Sequence, residues 1–219
     1  MNRKLLPLLV AGALLASAPA LLPVHAAPQA AAAATTQPTP SKLVLDNSQR
    51  ILTTLESRRA EFTKNPSALR QFVSGEFNSM FDRDYAARQV LGRHGRGASD
   101  ADIKAFGDAL ADNLMQRYGS SLLSFNTKLR VRVKSETPLP RGLGVKVSSE
   151  MLRSDGDAIP VDYLMRQSGG QWKVFDVMVE GVSFVQTFRQ QFDQQLQTKS
   201  IAQVAAELRT GKLQADADK

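Results

Sequence analysis

The chain has 219 residues and a formal charge of +7, from 28 Lys and Arg against 21 Asp and Glu, with two His and no Cys. Without a thiol there is no disulfide, no Cys nucleophile and no Cys/His zinc site. The basic residues are dispersed among acids with no long basic run, which argues against a nucleic-acid partner and suits a protein working beside anionic surfaces.

The first residues read as an export signal. Asn2-Arg3-Lys4 is followed by an apolar run from Leu5 to Ala18 and by small residues leading to Val24-His25-Ala26. That order predicts a secretory signal peptide over residues 1–26, cut after Ala26. Pro7, Gly12, Pro19 and Pro23 interrupt the run too often for a retained membrane span. Losing Arg3 and Lys4 leaves a mature charge of about +5. Residues 27–41, nearly all Ala, Pro, Thr and Gln, have nothing to pack and read as a disordered linker. One folded domain is expected over residues 42–212, with a polar, frayed tail over 213–219.

Val44, Ile51, Leu55 and Phe62 follow helical spacing and predict one helix from Lys42 to Thr63. Asn65-Pro66 starts a second helix, with Asn as cap and Pro at the first helical position; it is striped by Leu69, Phe72, Val73, Phe77, Met80 and Phe81. A shorter helix is expected from Asp84 to Leu91. Ser99, with Asp102 three residues on, then caps a long one that ends at Gly119. From Leu129 to Lys134 the pattern alternates strictly, giving a half-buried strand with a basic outer face.

Three further strands are expected: from Val145 to Arg153, from Ile159 to Gln167, and from Trp172 to Val179. Asp155-Gly156-Asp157 and Ser168-Gly169-Gly170 form the turns. Pro160 places the start of its strand at an edge or a bulge. Simple alternation puts Trp172, Val174 and Met178 with Asp176 on one face of the last strand, and Phe175, Val177 and Val179 on the other. A helix after Gly181 and a last one capped by Ser200 complete the chain. The fold class predicted is α+β: a four-stranded curved antiparallel sheet wrapped by N- and C-terminal helices around an apolar pocket.

Catalytic options are few. Once the signal is removed, His94 is the only imidazole, and it sits in the Gly-rich stretch Arg93-His94-Gly95-Arg96-Gly97, a poor place to hold a base. No phosphate-cradling Gly motif or dinucleotide fingerprint is present. If buried, Asp176 needs a donor, and Arg189 is a candidate.

Gln171-Trp172-Lys173-Val174-Phe175-Asp176-Val177-Met178-Val179-Glu180-Gly181-Val182-Ser183, continuing to Phe192, resembles the MlaC or toluene-tolerance family of periplasmic phospholipid carriers. Weaker matches are Phe81-Asp82 leading to Val90-Leu91-Gly92, and Val161-Asp162-Tyr163. The loop from Arg93 to Gly97 departs from the family pattern, in which many members carry aromatics and a basic residue there. The resemblance implies a deep apolar pocket and a monomeric carrier in the periplasm, with bound phospholipid as cargo, no cofactor and no metal. It also implies shuttling between an outer-membrane lipoprotein–porin complex and an inner-membrane ABC transporter with its lipid-binding ring protein, without bond-breaking chemistry.

On that reading the lipid-binding candidates are Val145, Val147, Met151, Tyr163, Met165, Val174 and Val177 from the sheet, and Phe106, Leu110, Phe184 and Phe188 from the helices. Arg93 and Arg96 are candidates for head-group or partner contact. Two other readings stay open. One is a ketosteroid-isomerase-like enzyme with Asp176 or Asp162 as base and Tyr163 as oxyanion donor. The other is a lipid-free envelope adaptor with an exposed apolar patch.

Overall fold

The computed structural model describes residues 37–123, 129–154 and 156–217. Helix α1 (Pro40–Ser57) begins earlier than expected because Thr39-Pro40 is a start signal: the Thr39 side chain accepts from the Lys42 N–H and Pro40 opens the helix. The single helix expected to reach Thr63 breaks at Arg58 (φ −103°, ψ 14°), and α2 (Arg59–Lys64) carries on after the break. Helix α3 (Pro66–Met80) starts at the Asn65 cap, as its Asn-Pro pair predicts. These helices enclose a small core of Leu55, Phe62 and Leu69.

Asp82 caps α4 (Arg83–Leu91) and Ser99 caps α5 (Asp100–Tyr118). After the sheet come α6 (Phe184–Thr198) and α7 (Ile201–Arg209), whose Ser200 and Gln203 complete a capping box. Together α4 to α7 form the largest apolar core, around Leu91, Ile103, Phe106, Phe192, Val204 and Leu208. Of the tail expected to fray, residues 213–217 are held in place. Buried Asn113 donates to the Leu208 and Leu213 carbonyls and accepts from the Ala215 N–H, and the Ala217 N–H donates to the Tyr118 hydroxyl.

The sheet is antiparallel, in the order β1 (Arg130–Pro138), β2 (Val145–Leu152), β3 (Ile159–Ser168), β4 (Gln171–Val179) and β5 (Val182–Ser183). The fifth strand was not expected. Glu180 and Gly181 take φ of 51° and 83°, the doubly positive pair a tight hairpin requires, so Val182 and Ser183 fold back on β4 before α6 begins. Pro160 lies in the central strand β3, not at a sheet edge. It sits one residue beyond the β3–β4 ladder, where its carbonyl accepts from the Glu180 N–H. Of the Asp155-Gly156-Asp157 turn, Asp155 lies outside the described residues.

A bulge reassigns the faces of β4. Tyr163 pairs with Val177, but Met165, two residues along and on the same face, pairs with Val174. Phe175 is therefore the extra residue. Val174 and Val177 share one face, while Asp176 lies opposite with Leu164. The simple alternation expected for this strand fails at that point. Phe175 turns to meet Tyr85 of α4 edge-on, with ring centroids 5.2 Å apart.

Asp176 is 6% exposed, and its partner is not Arg189. The Ser183 hydroxyl donates to Oδ2 at 2.6 Å and the Val185 N–H to Oδ1 at 3.0 Å, so the carboxylate anchors the first turn of α6. Arg189 instead donates to the Gln89 carbonyl at the end of α4, at 2.8 Å from Nε.

Gly144 has φ 137°, and a Cβ there would stand 1.9 Å from the Met165 carbonyl oxygen. Gly144→Ala is expected to lose at least the roughly 1–3 kcal/mol of a strained backbone, measured by denaturant unfolding; wild-type stability would refute the required close approach.

Burial pushes the Asp176 carboxyl above its ordinary 3.8, offset in part by the bonds from Ser183 and Val185. The native state therefore holds this proton more tightly than the unfolded chain does. This group's contribution to stability falls as pH rises from near 3.8 through the raised value. Asp176→Asn keeps the bond from Val185 and removes the charge, so its stability relative to wild type is expected to increase across that window and then level off. A pH-independent difference would contradict the assignment.

Candidate functional site

The inner face of the sheet lies under α1. Val44 of α1 and Val147, Met165 and Val174 of the sheet are buried together; Leu43, Phe81, Val133, Val145, Tyr163, Trp172 and Val177 pack around them half-buried. At one end this layer opens into a cleft of about 260 Å³. Its floor is Val44, Met80, Met165 and Val174, its sides include Leu43 and Trp172, and Gln37, Ser79 and Gln171 are exposed at its edge. No carboxylate lines it. The lining is apolar below and neutral-polar above, with Lys173 as its one cation, which suits an amphiphile. Met80 and Met165 make those walls adaptable.

Several contacts hold α1 over the sheet. Ser41 donates from its N–H and its hydroxyl to Glu136 of β1, at 3.1 and 2.9 Å, placing a carboxylate at the helix N-terminus. Farther along, the Tyr163 hydroxyl bonds to Ser48, a polar contact within an otherwise greasy layer. Burial raises the Tyr163 phenol above its usual value and the Ser48 bond partly opposes that, so the phenol stays neutral. Among the described residues, no buried side-chain nitrogen or oxygen lacks a hydrogen-bond partner.

The sequence-predicted lipid residues divide into two groups. Val145, Val147, Tyr163, Met165, Val174 and Val177 converge on the layer beneath α1. Met151 lies on the same face, farther down the sheet, where it pairs with Val131 and Ile159. Phe106, Leu110 and Phe188 belong to the separate α4–α7 core, and Phe184 packs against that core. The cleft also uses residues that the sequence reading left out of the site: Leu43, Val44 and Asn47 of α1, Met80 at the end of α3, and Trp172. Val44 and Met80 carried a signal as inward positions on helical stripes, but a stripe does not reveal which neighbour it faces.

Arg93 is tied to α6: its Nη2 lies 2.9 Å from both carboxylate oxygens of Asp193, and His94 Nε2 lies 2.9 Å from Oδ1. The His94 and Gln197 bonds hold the Asp193 carboxyl below its ordinary value, against a small opposing effect of burial. Arg96 is exposed, and its side chain makes no hydrogen bond or ion pair among the described residues. It borders a second depression of about 390 Å³, with His94, Asp102, Lys199 and Ser200, away from the sheet cleft.

The isomerase constellation is not assembled. Asp162 and Asp176 project from the outer face, and Asp162 lies 3.6 Å from Lys146. Tyr163 projects from the inner face, so no base and oxyanion donor share a cavity. Among the described residues, no group of three or more His, Asp or Glu is placed to hold a metal, and no helix is long and apolar enough to cross a membrane.

The profile of the MlaC protein family matches residues 45–210. The toluene tolerance protein ttg2D of Pseudomonas putida is 27% identical over 162 residues, covering 73% of this chain and 74% of that protein. The intermembrane phospholipid transport system binding protein MlaC of Haemophilus influenzae is 21% identical over 150 residues, covering 67% and 70%. Among solved structures, a phospholipid-binding protein from Ralstonia solanacearum, in complex with a phospholipid at 1.53 Å, superimposes with a TM-score of 0.68. It is 19% identical, and the match covers 78% of this chain and 97% of that one. The family match spans both the cleft-forming sheet and the helices that α4 and α6 contribute, and on that basis this chain belongs to the MlaC family.

Proposed function

We propose that the protein is a periplasmic phospholipid carrier, exported by a signal peptide cut after Ala26, that makes and breaks no covalent bond. The observation that carries this reading is the carboxylate-free cleft between α1 and the inner sheet face, with an apolar floor and an edge of polar groups and Lys173. The names of the relatives from H. influenzae and R. solanacearum point the same way.

Each buried methylene is worth about 0.8 kcal/mol, so two acyl chains carry a gross preference on the order of 20 kcal/mol for an apolar site. A carrier has to match that preference and still let go. The cleft's 260 Å³ falls below the roughly 300–1,000 Å³ typical of small-ligand sites, so a two-chain lipid enters by parting the walls. Helix α1 is the wall that moves. Its polar attachments to the sheet are the Ser41–Glu136 and Ser48–Tyr163 contacts, and the rest is non-directional apolar packing.

In this reading the protein passes phospholipid between an outer-membrane lipoprotein–porin complex and an inner-membrane ABC transporter with its ring protein. Arg96, free at the surface, is available to a head group or a partner, while Arg93 orders its own loop through Asp193.

Native mass spectrometry of the exported, purified protein tests the proposal. Stoichiometric phospholipid is expected in the wild type. Val147→Trp, which crowds the buried layer beside the cleft floor, and Leu43→Glu, which puts a charge in the wall, are each expected to cut the bound fraction severalfold without altering the circular dichroism spectrum. Unchanged loading in both folded variants would remove the cleft as the lipid site.

A further inference from the structure

The β1–β2 hairpin differs from the rest of the chain in charge. Residues 130–153 hold Arg130, Arg132, Lys134, Arg141, Lys146 and Arg153 but only Glu136 and Glu150, six cations against two carboxylates, for a net +4 of the chain's +7. Both carboxylates are already engaged. Glu150 is bridged by Lys134 and Arg132, each at 2.6 Å, and Glu136 binds the start of α1. Helix α1 packs on this hairpin from the inner face, and Arg130, Arg132 and Lys134 remain exposed on the outside.

The tip is unusual in a second way. Leu143 is 52% exposed between Gly142 and Gly144, one of two large apolar side chains so exposed among the described residues. Arg141, two residues before it, makes no side-chain hydrogen bond or ion pair there and is held at φ 58°. The turn is closed by a backbone bond from the Leu139 N–H to the Gly144 carbonyl at 2.8 Å, and Gly144 sits against the β3 backbone. An apolar side chain thus stands in water two residues from an unpaired cation.

The register places this tip at the open end of the cleft. Val145, the first residue after the tip, pairs with Met165, which pairs with Val174, and both of those partners form the cleft floor. Of the cations at this end, Arg166 is paired with Asp82 and Lys146 lies 3.6 Å from Asp162, which leaves Arg141 and Lys173 without a carboxylate partner among the described residues. Leu143, the basic hairpin and the cleft mouth therefore occupy one end of the sheet.

We propose that the β1–β2 hairpin tip is a docking element for an anionic phospholipid bilayer, with Leu143 entering the interface and Arg141 and the hairpin cations meeting head-group phosphates. A bilayer fits better than an acidic protein because the apolar contribution is one isolated leucine at a turn, too small for a protein–protein core but suited to shallow insertion. Docking in this pose turns the cleft mouth towards the lipid. The inference goes beyond the carrier reading and survives its failure, since vesicle binding and cargo loading are measured separately.

Co-sedimentation of the exported protein with phosphatidylcholine vesicles, with and without phosphatidylglycerol, tests it. Binding is expected only with the anionic lipid, and is expected to vanish near about 1 M salt, where the Debye length is about 3 Å. Each cation near such a surface contributes about fivefold in partitioning, and loss of the inserted leucine adds to this. Arg141→Asn with Leu143→Ser is therefore expected to weaken binding at least tenfold while leaving co-purified phospholipid unchanged. Lys64→Gln, which removes one exposed charge from α2, is expected to bind as wild type does. The proposal is overturned if the wild type ignores anionic vesicles or binds both kinds equally, or if the double variant binds like wild type. Tip-dependent capture by a soluble acidic protein without vesicle binding also overturns it.

Discussion

Strand β4 has to serve two cores at once, and the extra residue at Phe175 is what lets it do so. A regular strand through Trp172, Val174, Asp176 and Met178 would bring a buried carboxylate to the same surface as the cleft floor. With the bulge, Val174 and Val177 both join the layer under α1, while Phe175 and Asp176 turn outward to α4 and α6. The cost of burying Asp176 is met on the outer side by the N–H groups of the α6 first turn and the Ser183 hydroxyl. The cleft is left free of carboxylates. An apolar site in this fold thus depends on a polar anchor one residue away.

The two cores have different mechanical characters. The α4–α7 core is densely interlocked, with Phe106, Phe188 and Phe192 in ring contact and buried Asn113 fastening the chain end. The layer under α1 relies on one helix, two polar contacts and a buried centre of aliphatic and thioether side chains with half-buried aromatics around it. A rigid helical body beside a separable wall is the arrangement a carrier needs. The lipid's gross apolar preference is large, and release requires a site that can reopen without unfolding the rest.

Much of this architecture was legible in the sequence because local rules carry it. Asn65-Pro66, Ser99 and Ser200 mark helix starts through capping, and the alternation from Leu129 to Lys134 gives β1 with its basic face. Other features depend on contacts distant in sequence. The bulge at Phe175 cannot be seen in a run that is apolar on both faces, since either phase of the alternation looks acceptable. The partner of Arg93 is Asp193, a hundred positions away, so the sequence offered Arg93 to a head group or a partner when it is tied to α6. Likewise the stripes of α1 and α5 look alike as patterns, yet Val44 faces the cleft and Phe106 the helical core. That is why the predicted lipid residues divided cleanly by element: the strand positions gathered on the inner face, while the helix positions went elsewhere.

The central claim is that acyl chains lie between α1 and the inner face of β2–β4. The most direct measurement loads the protein with a phospholipid carrying a photoactivatable group on its acyl chain, irradiates it, and maps the cross-linked peptides by mass spectrometry. The account predicts adducts on the segments holding Leu43 and Val44, Met80, Met165, and Trp172 to Val177. Adducts concentrated on α5 to α7, around Phe106 and Phe188, would contradict it.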